Sequence, residues 1–125
     1  MKGRVLLVVM TMMLPGIAQA DVSPKQQPEV AHLLQFVKNS PCRVNRNGSF
    51  HHGEDAAAHI LKKYDYFRNK IKTTEQFIEY SATKSTMRRK YYTVRCNGAE
   101  EIRTKDWLLR ELEAYRTYRS NTTRR

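Results

Sequence analysis

Cys42 and Cys96 are the only cysteines in the chain, so one intramolecular bridge is the most that its covalent chemistry allows. Whether that bridge forms depends on the compartment, and the first twenty residues speak to the compartment. Lys2 and Arg4 precede the apolar run from Val5 to Leu14, followed by Pro15-Gly16 and the small-residue sequence Ala18-Gln19-Ala20. That order is the pattern of a secretory signal peptide, with cleavage expected after Ala20 and Asp21 as the first mature residue. The apolar run is about half the roughly twenty residues that a membrane-spanning helix needs. No second such run follows, so no transmembrane segment is expected after cleavage. No cysteine stands at the cleavage point, which argues against a lipid anchor. The short charged region and compact signal suit a bacterial periplasm, and in that oxidising setting an even cysteine count predicts a disulfide. Closing the separation between Cys42 and Cys96 is worth roughly 4 kcal/mol on the loop-closure account. Neither cysteine belongs to a C-x-x-C pair, so the bridge is expected to be structural rather than redox-catalytic.

Removing twenty residues from 125 leaves 105, enough for one core and too few for two. The chain carries 23 Lys and Arg against 12 Asp and Glu, a formal charge of +11. Loss of Lys2 and Arg4 with the leader lowers this by two, to +9. Such a field favours envelope polyanions or an acidic periplasmic protein as partner. Export makes nucleic acid an unexpected one.

Residues 21–28 are polar and contain Pro24 and Pro28, which reads as a flexible lead-in. A single α+β domain is then expected over 29–119, with a polar, basic, frayed tail at 120–125. Val30, Leu33, Leu34 and Val37 fall on one helix face, giving a helix to about Lys38. Cys42–Arg46 reads as extended, Asn47-Gly48 as a turn, and Phe50 as tucked inward. A second helix is expected from about Gly53 to Asn69, led by Glu54 and Asp55 and carrying Ala56, Ala57, Ile60, Leu61, Tyr64 and Phe67. Thr73-Thr74-Glu75-Gln76 has capping-box spacing before a short third helix. Tyr91–Cys96 and Ala99–Arg103 read as a hairpin around Asn97-Gly98, and Thr104 as the cap of a last helix that packs Trp107, Leu108, Leu112 and Tyr115. Asp106 and Arg110 are spaced to pair on its side. The sum is an α+β fold, about four helices packed on a small antiparallel sheet that includes a hairpin in the C-terminal half.

Arg46-Asn47-Gly48, then Glu54-x-Ala56-Ala57-x-His59-x-x-x-Lys63-Tyr64, then Ile71-x-Thr73-Thr74-Glu75-Gln76-Phe77-Ile78 with Ala82 and Ser85, resembles the YfeK-like family of small secreted bacterial proteins. The likeness runs from about Cys42 to Leu112. A tyrosine follows the linker after Ser85 in that family, here as Tyr91-Tyr92. The resemblance implies a periplasmic, single-domain α+β protein from a family catalogued as a domain of unknown function, with no activity to carry over.

Three polar groups are candidate sites. His51, Asp55 and His59, with His52 and Glu54 nearby, offer nitrogen and oxygen ligands at a spacing that could seat zinc. Glu54 and Asp55 also serve as helix N-terminal charges, no H-E-x-x-H spacing is present, and no cofactor is therefore expected. Arg46, His59, Lys63 and Ser85 form a second group, in which Arg46 and Lys63 could hold a phosphate or carboxylate while His59, with Lys63 beside it, serves as the candidate catalytic group. Arg88, Arg89, Lys90 and Tyr92 form a third, a basic and aromatic stretch suited to polyanion contact. Of the adjacent Tyr91 and Tyr92, strand alternation puts one in the core and one on the surface. The function expected from these residues is a non-enzymatic binding or accessory module of the cell envelope with a basic surface. The alternative is a metal- or phosphate-dependent hydrolase centred on His59.

Overall fold

Helix α1 spans Gln27–Asn39 with a proline in its first turn in the computed structural model, which describes Gly3, Val5, Val8 and residues 21–124. The expected leader, those three positions apart, lies outside the described residues. Val30, Leu33 and Val37 are buried on one face of α1. Strand β1 (Arg43–Arg46) and strand β2 (Ser49–His52) pair antiparallel. The turn between them holds Asn47 at φ 54° and Gly48 at φ 91°, the left-handed pair that a two-residue hairpin turn requires.

Helix α2 (Gly53–Phe67) follows directly and ends in a 3₁₀ turn, Arg68–Lys70. Its first residue must be glycine, because a Cβ there would overlap the carbonyl oxygen of Val37 and lie 2.9 Å from that of Ser40. The start of α2 thereby packs onto the last carbonyls of α1, a favourable meeting of opposite helix-dipole ends. Helix α3 (Thr74–Ala82) starts where the sequence places it. The Thr73 hydroxyl accepts the Gln76 N–H at 3.1 Å, while the Gln76 side chain reaches past Thr73 to accept the Lys72 N–H at 2.8 Å. Strands β3 (Thr93–Arg95) and β4 (Ile102–Arg103) and helix α4 (Thr104–Thr123) complete the chain.

The sheet has the order β2-β1-β3-β4 and is antiparallel throughout. Arg43 pairs with Arg95, so the next residues outward are Cys42 and Cys96, and these are disulfide-bonded with Cα atoms 4.2 Å apart. The bridge thus closes the end of the β1–β3 ladder. Val44 and Val94 lie opposite each other at its centre, both buried, and join Leu33, Ile60, Phe77 and Leu108 in the core. The α+β expectation, with four helices, an antiparallel sheet and one disulfide, is the observed fold.

Several local expectations fail for identifiable reasons. The lead-in is anchored: Val22 is buried, and the Asp21 carboxylate accepts hydrogen bonds from the Tyr64 hydroxyl and, at 2.7 Å, from Arg68. One apolar residue makes no period, so the sequence pattern did not register it. Phe50 is exposed. Paired residues share a sheet face, and since Val44 pairs with His51, it is His51 that turns inward and Phe50 that turns out, under the Arg95 guanidinium at 4.7 Å. Thr104 is the first helical residue rather than the cap; Arg103 occupies that place, and the Thr104 hydroxyl is buried without a partner. Among the described residues Asp106 and Arg110 form no ion pair. Helix α4 continues to Thr123, the hydroxyls of Thr122 and Thr123 bonding back to the carbonyls of Tyr118 and Arg119, where the sequence reads a frayed tail. Both strands of the second hairpin are shorter than expected. Among the described residues no helix is long and apolar enough to cross a membrane.

Candidate functional site

Side chains alternate along a strand, so Val44 and Arg46 share the helix-facing side of β1, as Val94 and Tyr92 share that of the β3 segment. Asn45 pairs with Thr93, and the register continued by one residue sets Arg46 across from Tyr92. The inner face of the sheet is therefore aliphatic at Val44 and Val94 and turns polar one step later. Helix α2 crosses that polar end with His59 and Lys63, one helical turn apart. The connection from α3 to β3 closes over it. A bridge between Lys84 and Tyr91 and a bond from the Ser85 N–H to the Lys90 carbonyl at 2.9 Å tie the base of this loop, which carries Arg88 at its tip.

Arg46, His59, Lys63, Arg88 and Tyr92 line one open cavity of about 280 Å³. Tyr92 is buried, and its hydroxyl takes a hydrogen bond from the Lys63 ammonium at 3.2 Å and lies 3.4 Å from Nε2 of His59. The Lys63 ammonium also donates to the Lys84 carbonyl at 2.7 Å, so α2 is fastened to the loop at the cavity wall. Burial, then the charges of Arg46 and Lys63, push the His59 imidazole down to about 4. It is neutral at pH 7, and Nε2 can accept the Tyr92 proton when the ring carries its own on Nδ1. Burial and the neighbouring Arg46 likewise lower Lys63, and burial raises the Tyr92 phenol.

Among the described residues no carboxylate lines this cavity. Among the described residues Arg46, Lys63 and Arg88 form no salt bridge, although His32, Arg68, Arg95, Lys105 and Arg116 do. The Nε of Arg46 is buried with no hydrogen-bond partner among the described residues. Cations held together with no counter-ion among the described residues, beside hydroxyl and imidazole groups that can donate or accept, are donors of the kind that pairs with phosphate or carboxylate.

The structure brings the second sequence-derived group together: Arg46, His59, Lys63 and Ser85 all line the cavity. It divides the third group. Arg88 and Tyr92 belong to the same cavity, whereas Arg89 and Lys90 are exposed on the loop and do not line it. Tyr92 is the core tyrosine of its pair, and Tyr91 is the surface one, covered by the Arg103 guanidinium at 3.9 Å. The zinc candidates His51, Asp55 and His59 are not assembled. Among the described residues no group of three or more His, Cys, Asp or Glu side chains could hold a metal ion. The sequence reading missed Asn47, Thr86 and Met87 as parts of the wall. Alternation back from Val94 to Tyr92 was the available clue that two of its groups meet.

Fold and site define a small, disulfide-tied α+β domain with a cationic cavity at one end of its sheet. The chain belongs to a family of unknown function, DUF5329, whose description matches residues 24–116. It is also similar to Uncharacterized protein YfeK of Salmonella typhimurium, with 29% identity over 90 residues, covering 71% of this chain and 75% of that relative. No solved structure matches the chain.

Proposed function

We propose that the protein is exported to the periplasm by its leader and acts there as a non-enzymatic binding module, holding an anionic group of an envelope component in the cavity between β1, α2 and the α3–β3 loop. The observation that carries this reading is the buried Nε of Arg46 beside Lys63 and Arg88, with neither a partner for it nor a carboxylate in the cavity wall among the described residues. The leader pattern and the disulfide support export. The formal charge of +9 that remains once Lys2 and Arg4 leave with the leader supports an anionic partner by steering it toward the surface.

A hydrolase centred on His59 is the second reading, favoured by a neutral imidazole within reach of the Tyr92 hydroxyl. One series separates the two. The purified protein is melted with inorganic phosphate at constant ionic strength, beside Arg88→Glu and His59→Ala. A ligand that binds only the folded state raises stability by about 2.7 kcal/mol at a hundredfold excess over its dissociation constant. Stabilisation of the wild type, lost in Arg88→Glu and kept in part by His59→Ala, supports binding. Turnover of a phosphate ester that His59→Ala abolishes while it remains folded supports the hydrolase instead. Fractionation and N-terminal sequencing address export, with Asp21 as the expected first residue in the periplasmic fraction.

A further inference from the structure

The cavity is larger than an anion requires. It measures about 280 Å³ and is open to solvent, and a phosphate group, with four oxygens around one phosphorus, fills only part of it. The cations do not line the remainder alone. Asn47, Ser85 and Thr86 add neutral hydrogen-bonding groups to the wall. The Ser85 hydroxyl accepts the Lys90 N–H at 3.3 Å, which leaves its own proton to donate into the cavity. Asn47 is held by the hairpin turn at φ 54°, and its exposed amide offers donors and an acceptor together. Met87, at the rim, is almost fully exposed. A charged group at Arg46, Lys63 and Arg88 therefore has a polar, uncharged neighbour space bounded by hydroxyls and an amide.

We propose that the cavity recognises a glycosyl phosphate, with the phosphate on Arg46, Lys63 and Arg88 and the sugar hydroxyls on Asn47, Ser85 and Thr86. This rests on the anion-binding reading above and adds the sugar to it. Directional partners for several hydroxyls add contacts that inorganic phosphate does not make. Such a ligand occurs as a phosphorylated sugar of an envelope glycan or as a free sugar phosphate, and both present the same chemistry to the cavity.

The test is calorimetric titration of the full protein with glucose 1-phosphate, inorganic phosphate and glucose at low ionic strength. The expected result is that glucose 1-phosphate binds at least tenfold more tightly than inorganic phosphate, and glucose alone far more weakly than either. Asn47→Gly keeps the backbone free to hold its positive φ and removes the amide. It should weaken glucose 1-phosphate several-fold and leave inorganic phosphate unchanged. Equal affinity for glucose 1-phosphate and phosphate overturns the sugar site while leaving the anion site standing. Binding of neither overturns both. Competition by a phosphorylated envelope glycan but not by its dephosphorylated form identifies the polymer as the source, and displacement only by small sugar phosphates identifies the free ligand.

Discussion

Two polar clusters lie within this one small domain, and they are built on opposite terms. Where α1, α3 and α4 meet, the buried Glu29 carboxylate accepts the Thr74 hydroxyl at 2.7 Å and two donors of Arg116 at 2.7 and 3.0 Å, and Arg116 also reaches Glu75. Every charge there has an opposite charge beside it. Hydrogen bonds from Arg116 and Thr74 hold Glu29 below the usual carboxylate range against the opposing effect of burial. At the other end, Arg46, Lys63 and Arg88 line a cavity with no carboxylate among the described residues. The contrast teaches how to tell a structural polar cluster from a receptive one. The first is complete within the protein, and its loss is felt as stability. The second has no opposite charge among the described residues, and on the proposed reading a ligand supplies it.

The largest expected effect breaks the complete cluster. Glu29→Ala leaves the buried Thr74 hydroxyl without its acceptor and removes two bonds from Arg116, which keeps Glu75, and should cost about 2 kcal/mol in chemical denaturation. A loss under about 0.5 kcal/mol would erase the distinction between the clusters. Next is Lys63→Met, which removes one cation from the incomplete cluster and keeps the apolar stem. It should cost about 1 kcal/mol, since the bonds to the Lys84 carbonyl and the Tyr92 hydroxyl are lost, and weaken phosphate binding about tenfold, read by titration; strong destabilisation with unchanged binding would reverse the assignment.

The clusters should also separate by pH. Folding lowers Glu29 from 4.5, so its contribution is complete above that value and is lost as pH falls below it. Folding lowers His59 from 6.5 to about 4. Its contribution is therefore complete above about 6.5 and declines as pH falls through the interval to about 4, where the folded state must take up an unfavourable proton. A stability profile should show the His59 phase between pH 6.5 and 4, absent in His59→Gln, and the Glu29 phase at lower pH. Bound phosphate should shrink the His59 phase by stabilising the imidazolium. An unchanged profile in His59→Gln would contradict the assignment. The smallest effect belongs to Arg89→Ala: that side chain does not line the cavity, and phosphate affinity should fall less than twofold where Arg88→Ala lowers it several-fold.

Most of the fold was legible because it follows from periodicity and caps. The apolar spacing of Val30, Leu33 and Val37, the Thr73 cap and the Asn47-Gly48 turn each settle a local choice without reference to the rest of the chain. What the sequence did not reveal depends on pairings remote in the chain. Phe50 points outward because of the register of β1 with β2, and Val22 is buried because a core formed elsewhere receives it. The site was legible in halves. Arg46, His59, Lys63 and Ser85 were read as one group and Arg88 with Tyr92 as another, since only the β1–β3 pairing and the loop over α2 unite them. The candidate zinc ligands His51, Asp55 and His59 are close along the sequence, but a strand and a helix carry them, and among the described residues they form no group that could hold a metal ion.

The central claim is that the Arg46 charge is held without a partner for the sake of a ligand. Chemical denaturation of wild type and Arg46→Met, each with and without inorganic phosphate, tests it most directly. The account predicts that without phosphate the variant is at least as stable as wild type. At a tenfold excess over the dissociation constant, wild type gains about 1.4 kcal/mol and the variant gains almost nothing. A variant that is several kcal/mol less stable without phosphate, yet gains as much as wild type when phosphate is added, would contradict the account and make Arg46 a structural residue.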